Sequence, residues 1–404
     1  MPEAFEGDTV VAIFDRTTFY ATMGGQVTDE GTASAEGFRA RVTSVDKDAA
    51  GKFLHTITIS EGSLKAGQTV GLHVNENHRL ATARNHTATH ILQKALRTVL
   101  GDHVEQSGSL VSSDRLRFDF THFQPLTEDE LRQVESLVND VILSDLPVTT
   151  RVMKQEDARK LGAMALFGEK YGDEVRVVTV GDTDNAYSLE FCGGTHLDHT
   201  SQACQLRILS ETGVASGIRR IEAVTGNAAY ALAKSEQATL EAACASLKTP
   251  EDQLVRKIRA AMAEIKALEK ELANMQELKS AGLAEELAGK ADVMNGVSVV
   301  VAAVDAADSD ALRTTADQVR DRLTAGIVLL AAETDGKLIF TAMATADAIA
   351  KGIHSGNIIR EAAKAAGGGG GGRPDMAQAG GKDVSKLGDA LEAARKVIKT
   401  QLGA

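Results

Sequence analysis

The chain has no tryptophan, and only 5 prolines, 4 tyrosines and 3 cysteines among its 404 residues. Each shortage excludes something. Without tryptophan, any stacking on a nucleobase falls to Phe, Tyr, His or Arg. Cys192, Cys204 and Cys244 are too few, and odd in number, for a disulfide framework, so a reducing, cytoplasmic setting is expected. No run approaches the ~18 consecutive apolar residues of a membrane span. The opening MPEAFEGDTVVAIF lacks a basic region ahead of a long apolar stretch, so no signal peptide is expected. Positive charge is short as well: 44 Lys and Arg against 56 Asp and Glu leave a net charge of −12. That argues against a protein that coats nucleic acid indiscriminately, but a confined basic patch remains open.

Glycine, by contrast, is plentiful at 37 residues, and apolar residues reach 43%, enough for real cores. The length suggests two or three domains. Residues 1–80 read as strands and turns: VVAIFD, HTITIS and TVGLHV are short β-type runs. Residues 81–226 read as mixed α/β. Helical spacing predicts a helix from about Arg79 to Leu100, stopped by Gly101. Thr127 with Glu130 three residues later is a capping-box pattern and predicts a second helix. RLRFDF, EVRVVTVG and YSLEF read as strands. Residues 227–290 are helical in composition, broken near Pro250. Beyond the break, Leu254, Ile258, Ala261, Ile265, Leu268, Leu272 and Met275 recur in steps of three and four, the seam of a coiled coil in a hairpin or a dimer stalk; one helix packed on a core is the alternative. Residues 291–404 read as an α/β domain with buried strands VSVVVAAVD, GIVLLAAE and KLIFTAMAT and helices near 308–323, 355–366 and 383–402. The class is α+β.

Two motifs carry chemistry. His86-Thr87-Ala88-Thr89-His90 places two imidazoles four residues apart, on one face of the first helix. Alone this is a weak metal signal, and Thr87 stands where a zinc protease carries its general-base Glu. Cys192-Gly193-Gly194-Thr195-His196 follows a strand, and its glycines permit a tight turn that aims both side chains at one point. Together the motifs offer three His and one Cys, a reasonable tetrahedral zinc set. His199 is a substitute ligand; Cys204 and Cys244 read as small core residues.

The stretch NHTATHILQKALRTVLGDHVEQSGSLVSSDRLRFDF, with FCGGTH downstream, resembles the editing domain of alanyl-tRNA synthetases and of the free-standing AlaX deacylases. FYATMGGQVTDEG is similar to that family's glycine motif, GIRRIEAVTG to the end of its editing core, and the last 110 or so residues to its C-terminal domain. There, Gly367 to Gly372 precede RPDMAQAGG. Six glycines read without the family suggest a flexible linker; the fixed sequence after them suggests a loop that approaches a ligand closely. Thr22 and Met23 depart from the acidic residue and serine of the family's glycine motif. The resemblance covers nearly the whole chain but no aminoacylation domain, so the chain is not expected to charge tRNA.

The resemblance implies a β-barrel-like subdomain (1–80), a zinc-binding α/β editing core (81–226), a helical coiled-coil linker (227–290) and a C-terminal domain for tRNA binding and dimerisation (291–404). It implies Zn2+ on His86, His90, Cys192 and His196, and hydrolysis of seryl- and glycyl-tRNA(Ala), errors that an alanine pocket cannot exclude by size and polarity alone. Gln106 is the favoured reader of the serine hydroxyl, with Ser107 and Thr87 behind it. Cys192 is the ligand most able to yield, since four protein ligands leave no position for water. Arg219 and Arg220 are candidate phosphate contacts, as are Lys351, Lys364 and Arg373 in the C-terminal domain. A tRNA-binding module with a structural zinc is the competing reading. A phosphoesterase would need an Asp-His-His motif that the sequence lacks.

Overall fold

The computed structural model describes residues 3–165, 172–182 and 185–404. Contacts divide the chain into one unit ending at Ser246 and a second from Leu247 to Ala404.

The first unit opens with β1 (Glu3–Phe5), β2 (Thr9–Ala12), β3 (Gly31–Ala35), β4 (Phe38–Lys47), β5 (Phe53–Lys65) and β6 (Gly71–Val74). Alternation in β4 buries Phe38, Ala40 and Val42 and leaves Arg39, Arg41 and Thr43 outside, the two-residue period of a half-buried strand. The order β1-β5-β4-β3-β6, with β2 also on β5, contains no pairing that joins its ends among the described residues. The barrel-like expectation therefore resolves into an open, six-stranded sheet.

Next comes α1 (Glu76–Leu100), three residues longer at its start than spacing suggests. Asn75 caps it by accepting from the His78 N–H, and Gly101 ends it as predicted. The chain continues through β7 (Gln106–Val111), β8 (Leu116–Thr121), α2 (Glu128–Leu143), β9 (Val148–Lys154), α3 (Gln155–Lys160), β10 (Glu174–Asp182), β11 (Asn185–Phe191), β12 (Leu206–Ala215), β13 (Ile218–Thr225) and α4 (Gly226–Ser246). The capping box of α2 forms in full: Thr127 accepts from the Glu130 N–H, and Glu130 accepts from the Thr127 N–H. Two sheets result, β11-β10-β9 and β12-β13-β8-β7. Ile91, Leu92 and Leu96 of α1 pack with Phe118 and Phe120 of β8, Val134 and Val138 of α2, and Ile221 of β13. Each such side chain contributes roughly 1.5–3 kcal/mol on burial. This core holds α1, and hence its histidines, rigidly.

The second unit contains α5 (Leu254–Gly289), β14 (Asp292–Met294), β15 (Val297–Ala303), α6 (Ser309–Arg320), β16 (Gly326–Thr334), β17 (Lys337–Ala344), α7 (Ala346–Ala350), α8 (Ser355–Ala365), β18 (Gly369–Gly372), β19 (Met376–Gly381) and α9 (Leu387–Leu402). Its sheet runs β14-β15-β16-β17-β19-β18. β15, β16 and β17 read as nearly unbroken apolar runs because both faces are covered. Ile327, Leu329 and Ala331 meet α8 and α9, while Val328, Leu330 and Ala332 meet α6. Four of the six glycines are neither a linker nor a loop: Gly369–Gly372 form the edge strand β18, paired with β19 from Gly369↔Gly380 to Gly372↔Ala377. A Cβ on Gly370 would stand 2.3 Å from that of Ala379, so glycine permits this close pairing.

Candidate metal centre

Among the described residues, one group of His, Cys, Asp and Glu side chains has the spacing a metal ion needs. His86, His90, Cys192 and His196 offer ligand atoms that all lie within 4.8 Å of one another. Cys192 Sγ is 3.3 Å from His86 Nε2 and 3.2 Å from His196 Nε2. Zinc–sulfur and zinc–nitrogen bond lengths in a tetrahedron put such atoms about 3.5–3.6 Å apart, a few tenths of an ångström wider than the spacing here. His90 Nε2 is buried with no hydrogen-bond partner. An orphaned ring nitrogen facing a thiol and two imidazoles fits a metal better than a set of hydrogen bonds.

Each ligand is aimed by its own support. α1 carries His86 and His90 on one face, and β11 delivers Cys192 at its end. Arg176 of β10 donates from Nη1 to the carbonyls of Cys192 (2.9 Å) and Gly194 (2.6 Å), pinning the turn. A Cβ on Gly194 would lie 2.0 Å from His86 Cε1, so the turn passes too close to the imidazole for any side chain. The outward ring nitrogens are held in turn. His86 Nδ1 donates to Gln26 Oε1 at 2.7 Å, and His90 Nδ1 donates to Glu190 Oε2 at 2.6 Å. Thr87 Oγ1 sits 3.1 Å from His196 Nδ1 and accepts from the Leu197 N–H. Such outer partners fix imidazole tautomer and orientation.

Electrostatics follow from this packing. Burial pushes the Cys192 thiol up, but the charge of His86 and the hydrogen bonds of His196 and His86 outweigh it and hold the thiol well below its usual range. Burial, then the charge of His86, lower the His196 imidazole to about 3. Burial also depresses His90, yet Glu190 and Cys192 raise it well above the ordinary value. A thiolate beside a neutral imidazole is the form in which these side chains bind a metal.

The centre forms one wall of a cavity of about 290 Å³, shared with Thr89, Gln93, Gln106, Ser109, Glu174, Arg176 and Glu190. Gln106 lines this cavity. Ser107 is exposed, and Ser109 lines the cavity instead. The cause is a bulge: Gln106 pairs with Phe120 and Gly108 with the adjacent Asp119, so Ser107 is an extra residue that resets alternation. Thr87 is fully buried and supports His196 rather than lining the cavity. It follows His86 by one residue, about 100° around the helix. His199 precedes a short helical turn and lies 3.4 Å from Asp145, outside the ligand group. Arg219 pairs with Glu211, and Arg220 makes a two-pronged pair with Asp119 at 2.6 and 2.8 Å. Lys351 donates to the Gly296 carbonyl, Arg373 pairs with Asp375, and Lys364 is exposed. Sequence spacing reaches Thr89 and Gln93, at three and seven residues past His86. It does not reach Gln26, which is 60 residues upstream of its partner.

Known proteins align with this sequence over nearly its whole length. Residues 1–78 match the family model of class II (A) tRNA synthetases, residues 175–222 the second additional domain of threonyl and alanyl tRNA synthetases, and residues 296–400 the DHHA1 domain. The alanine–tRNA ligase of Acetivibrio thermocellus is 52% identical over 400 residues, and that of Clostridioides difficile 48% over 399. The chain carries the editing and C-terminal domains of alanyl-tRNA synthetases. Each alignment covers 99% of this chain and 45% of the relative, so the chain spans under half the length of these synthetases. The solved C-Ala domain of the Aquifex aeolicus alanyl-tRNA synthetase is 28% identical, with a TM-score of 0.26, over 28% of this chain and 99% of that one. Among the described residues, no helix is long and apolar enough to cross a membrane.

Proposed function

We propose that this chain is an aminoacyl-tRNA deacylase that hydrolyses the ester of seryl- and glycyl-tRNA(Ala), with Zn2+ held by His86, His90, Cys192 and His196. One observation carries the reading: four metal-ligand side chains converge, and three of them, His86, His90 and Cys192, lie on the wall of a cavity that also presents uncharged hydrogen-bonding groups. Bound there, zinc would supply Lewis-acid polarisation and orientation of the aminoacyl group. The chain's own residues do the selecting. Gln106 and Ser109 offer an amide and a hydroxyl to the serine side chain, and Gln106 Nε2 donates to Ser109 Oγ at 3.3 Å. An alanyl ester leaves these groups without that partner, at a cost of about 1–3 kcal/mol. Val175 and Phe191 give the cavity an apolar side that limits water.

The second unit also offers candidate contacts to tRNA. Of the C-terminal candidates, Lys364 is exposed, and Arg373, also exposed, would share its guanidinium with Asp375. Arg219 and Arg220 contribute only by giving up their carboxylate partners. The exposed apolar seam of α5 supports a helix-mediated homodimer, and the family's setting is the cytoplasm.

The deciding experiment incubates the full chain with seryl-tRNA(Ala) and alanyl-tRNA(Ala), beside a Cys192→Ala variant. Selective loss of the seryl ester, weakened in the variant, is expected. No loss of either ester by folded, zinc-loaded protein would leave a tRNA-binding module with a structural metal.

A further inference from the structure

Gln26 lies outside both ligand motifs, yet it touches both. It sits in the first sheet's connecting loop, where Met23 and Gln26 bridge across Gly24 and Gly25. Both glycines have positive φ (59° and 80°), as a tight two-residue hairpin turn requires. The loop is fastened on three sides. Asp29 is buried, accepts from the Tyr20 N–H at 2.7 Å, and is ion-paired with Arg79 of α1. The Val27 N–H donates to the Val111 carbonyl of β7 at 2.9 Å, and the Val111 N–H donates to the Gly25 carbonyl at 2.8 Å. A Cβ on Gly25 would stand 2.4 Å from Ser109 Oγ, so the loop lies directly on the strand that lines the cavity.

At its tip the Gln26 side chain is 1% exposed. Its Oε1 accepts from His86 Nδ1 at 2.7 Å and from the Thr195 N–H at 2.9 Å, while its Nε2 donates to Thr195 Oγ1 at 2.8 Å. The Thr195 contacts fix which amide atom is oxygen. An oxygen that only accepts requires the proton on His86 Nδ1, which leaves the Nε2 lone pair facing Cys192 Sγ.

We propose that Gln26 is a positioning residue of the metal centre, a latch from the N-terminal sheet that sets the His86 tautomer and clamps the Cys192–His196 turn against α1. The inference rests on the metal reading above. It makes the first 80 residues part of the centre although they supply no ligand. A single atom, Oε1, ties together segments about a hundred residues apart, so the loop can report on both at once.

The test uses the full apo chain, titrated with Co2+ as a spectroscopic probe and with Zn2+ against a chelator. Gln26→Leu keeps the side chain's bulk and removes its polar atoms. It is expected to lower Zn2+ affinity by about 10- to 100-fold and to shift the cobalt d–d bands. Gln26→Glu retains an acceptor for His86 and for the Thr195 N–H, and is expected to recover most of the affinity. Thr195→Val, which removes the acceptor of Gln26 Nε2, is expected to act in the same direction and more weakly. It serves as the test if Gln26→Leu fails to fold by circular dichroism. Wild-type affinity and an unchanged cobalt spectrum in Gln26→Leu, or in Thr195→Val where it stands in, would overturn the latch alone. Equal losses in Gln26→Leu and Gln26→Glu would show that an acceptor on His86 Nδ1 is not what matters, and would overturn the tautomer-setting role. Failure of the unaltered chain to bind either ion would overturn the metal reading and the latch together.

Discussion

Two helices of this chain follow similar apolar spacing and come to opposite ends. α1 has 13 buried residues, among them His86, Thr87, Thr89 and His90. α5 is longer, at 36 residues, yet buries only Leu254 and Ala284. Its seam stands in solvent, with Ile258 43% exposed, Leu268 57% and Met275 59%. A helix whose stripe is covered can afford polar groups inside it, because the surrounding core fixes them and their partners are built in. A helix whose stripe is bare states only that it would gain by meeting something. Periodicity alone does not separate the two cases. The neighbours do: α1 packs with α2, β8 and β13, whereas α5 is packed mainly at its C-terminal end, where Ala284 and Leu287 meet the sheet and α6.

Substitutions can break or sharpen this contrast. Leu92→Ala, at a fully buried position of α1, is expected to cost about 2–5 kcal/mol in denaturant unfolding of the first unit. A cost near zero would mean that α1 is not held by its core. Gly194→Ala forces a methyl group into His86, and Zn2+ affinity measured by chelator competition should fall about 100-fold, or about 2.7 kcal/mol. Thr127→Ala removes the α2 cap and should cost about 1 kcal/mol, read as a lowered melting temperature. Leu268→Ala should change the stability of the isolated chain by less than about 0.5 kcal/mol. At concentrations where the proposed homodimer forms, the loss for Leu268→Ala should become larger and concentration-dependent; a loss that stays small at every concentration would overturn the homodimer.

What could be read in the sequence was local. The α2 capping box, the glycine stop of α1 and the buried strands of the second unit depend on residues a few positions apart, and each appears as expected. The four side chains singled out as metal ligands also converge. Contacts set by register or by distant segments were not legible. Arg220 faces Asp119 directly across β13 and β8, so an apparent phosphate contact is engaged in a cross-strand ion pair. Glu190 immediately precedes the FCGG turn, but only its burial beside His90 shows what it is for. Six successive glycines suggested slack, because composition cannot show that a neighbouring strand lies too close to admit a side chain.

The extra residue in β7 has a consequence for chain length rather than composition. Removing one residue from a strand ordinarily turns every side chain beyond the gap to the opposite face. Ser107 is the exception, since it is the unpaired member of the bulge. Its deletion would leave Gln106 and Ser109 two positions apart in a regular strand, still facing the same way. A protein shortened by that one residue should keep its cavity lining, whereas loss of Leu110 would turn Val111 outward from the core.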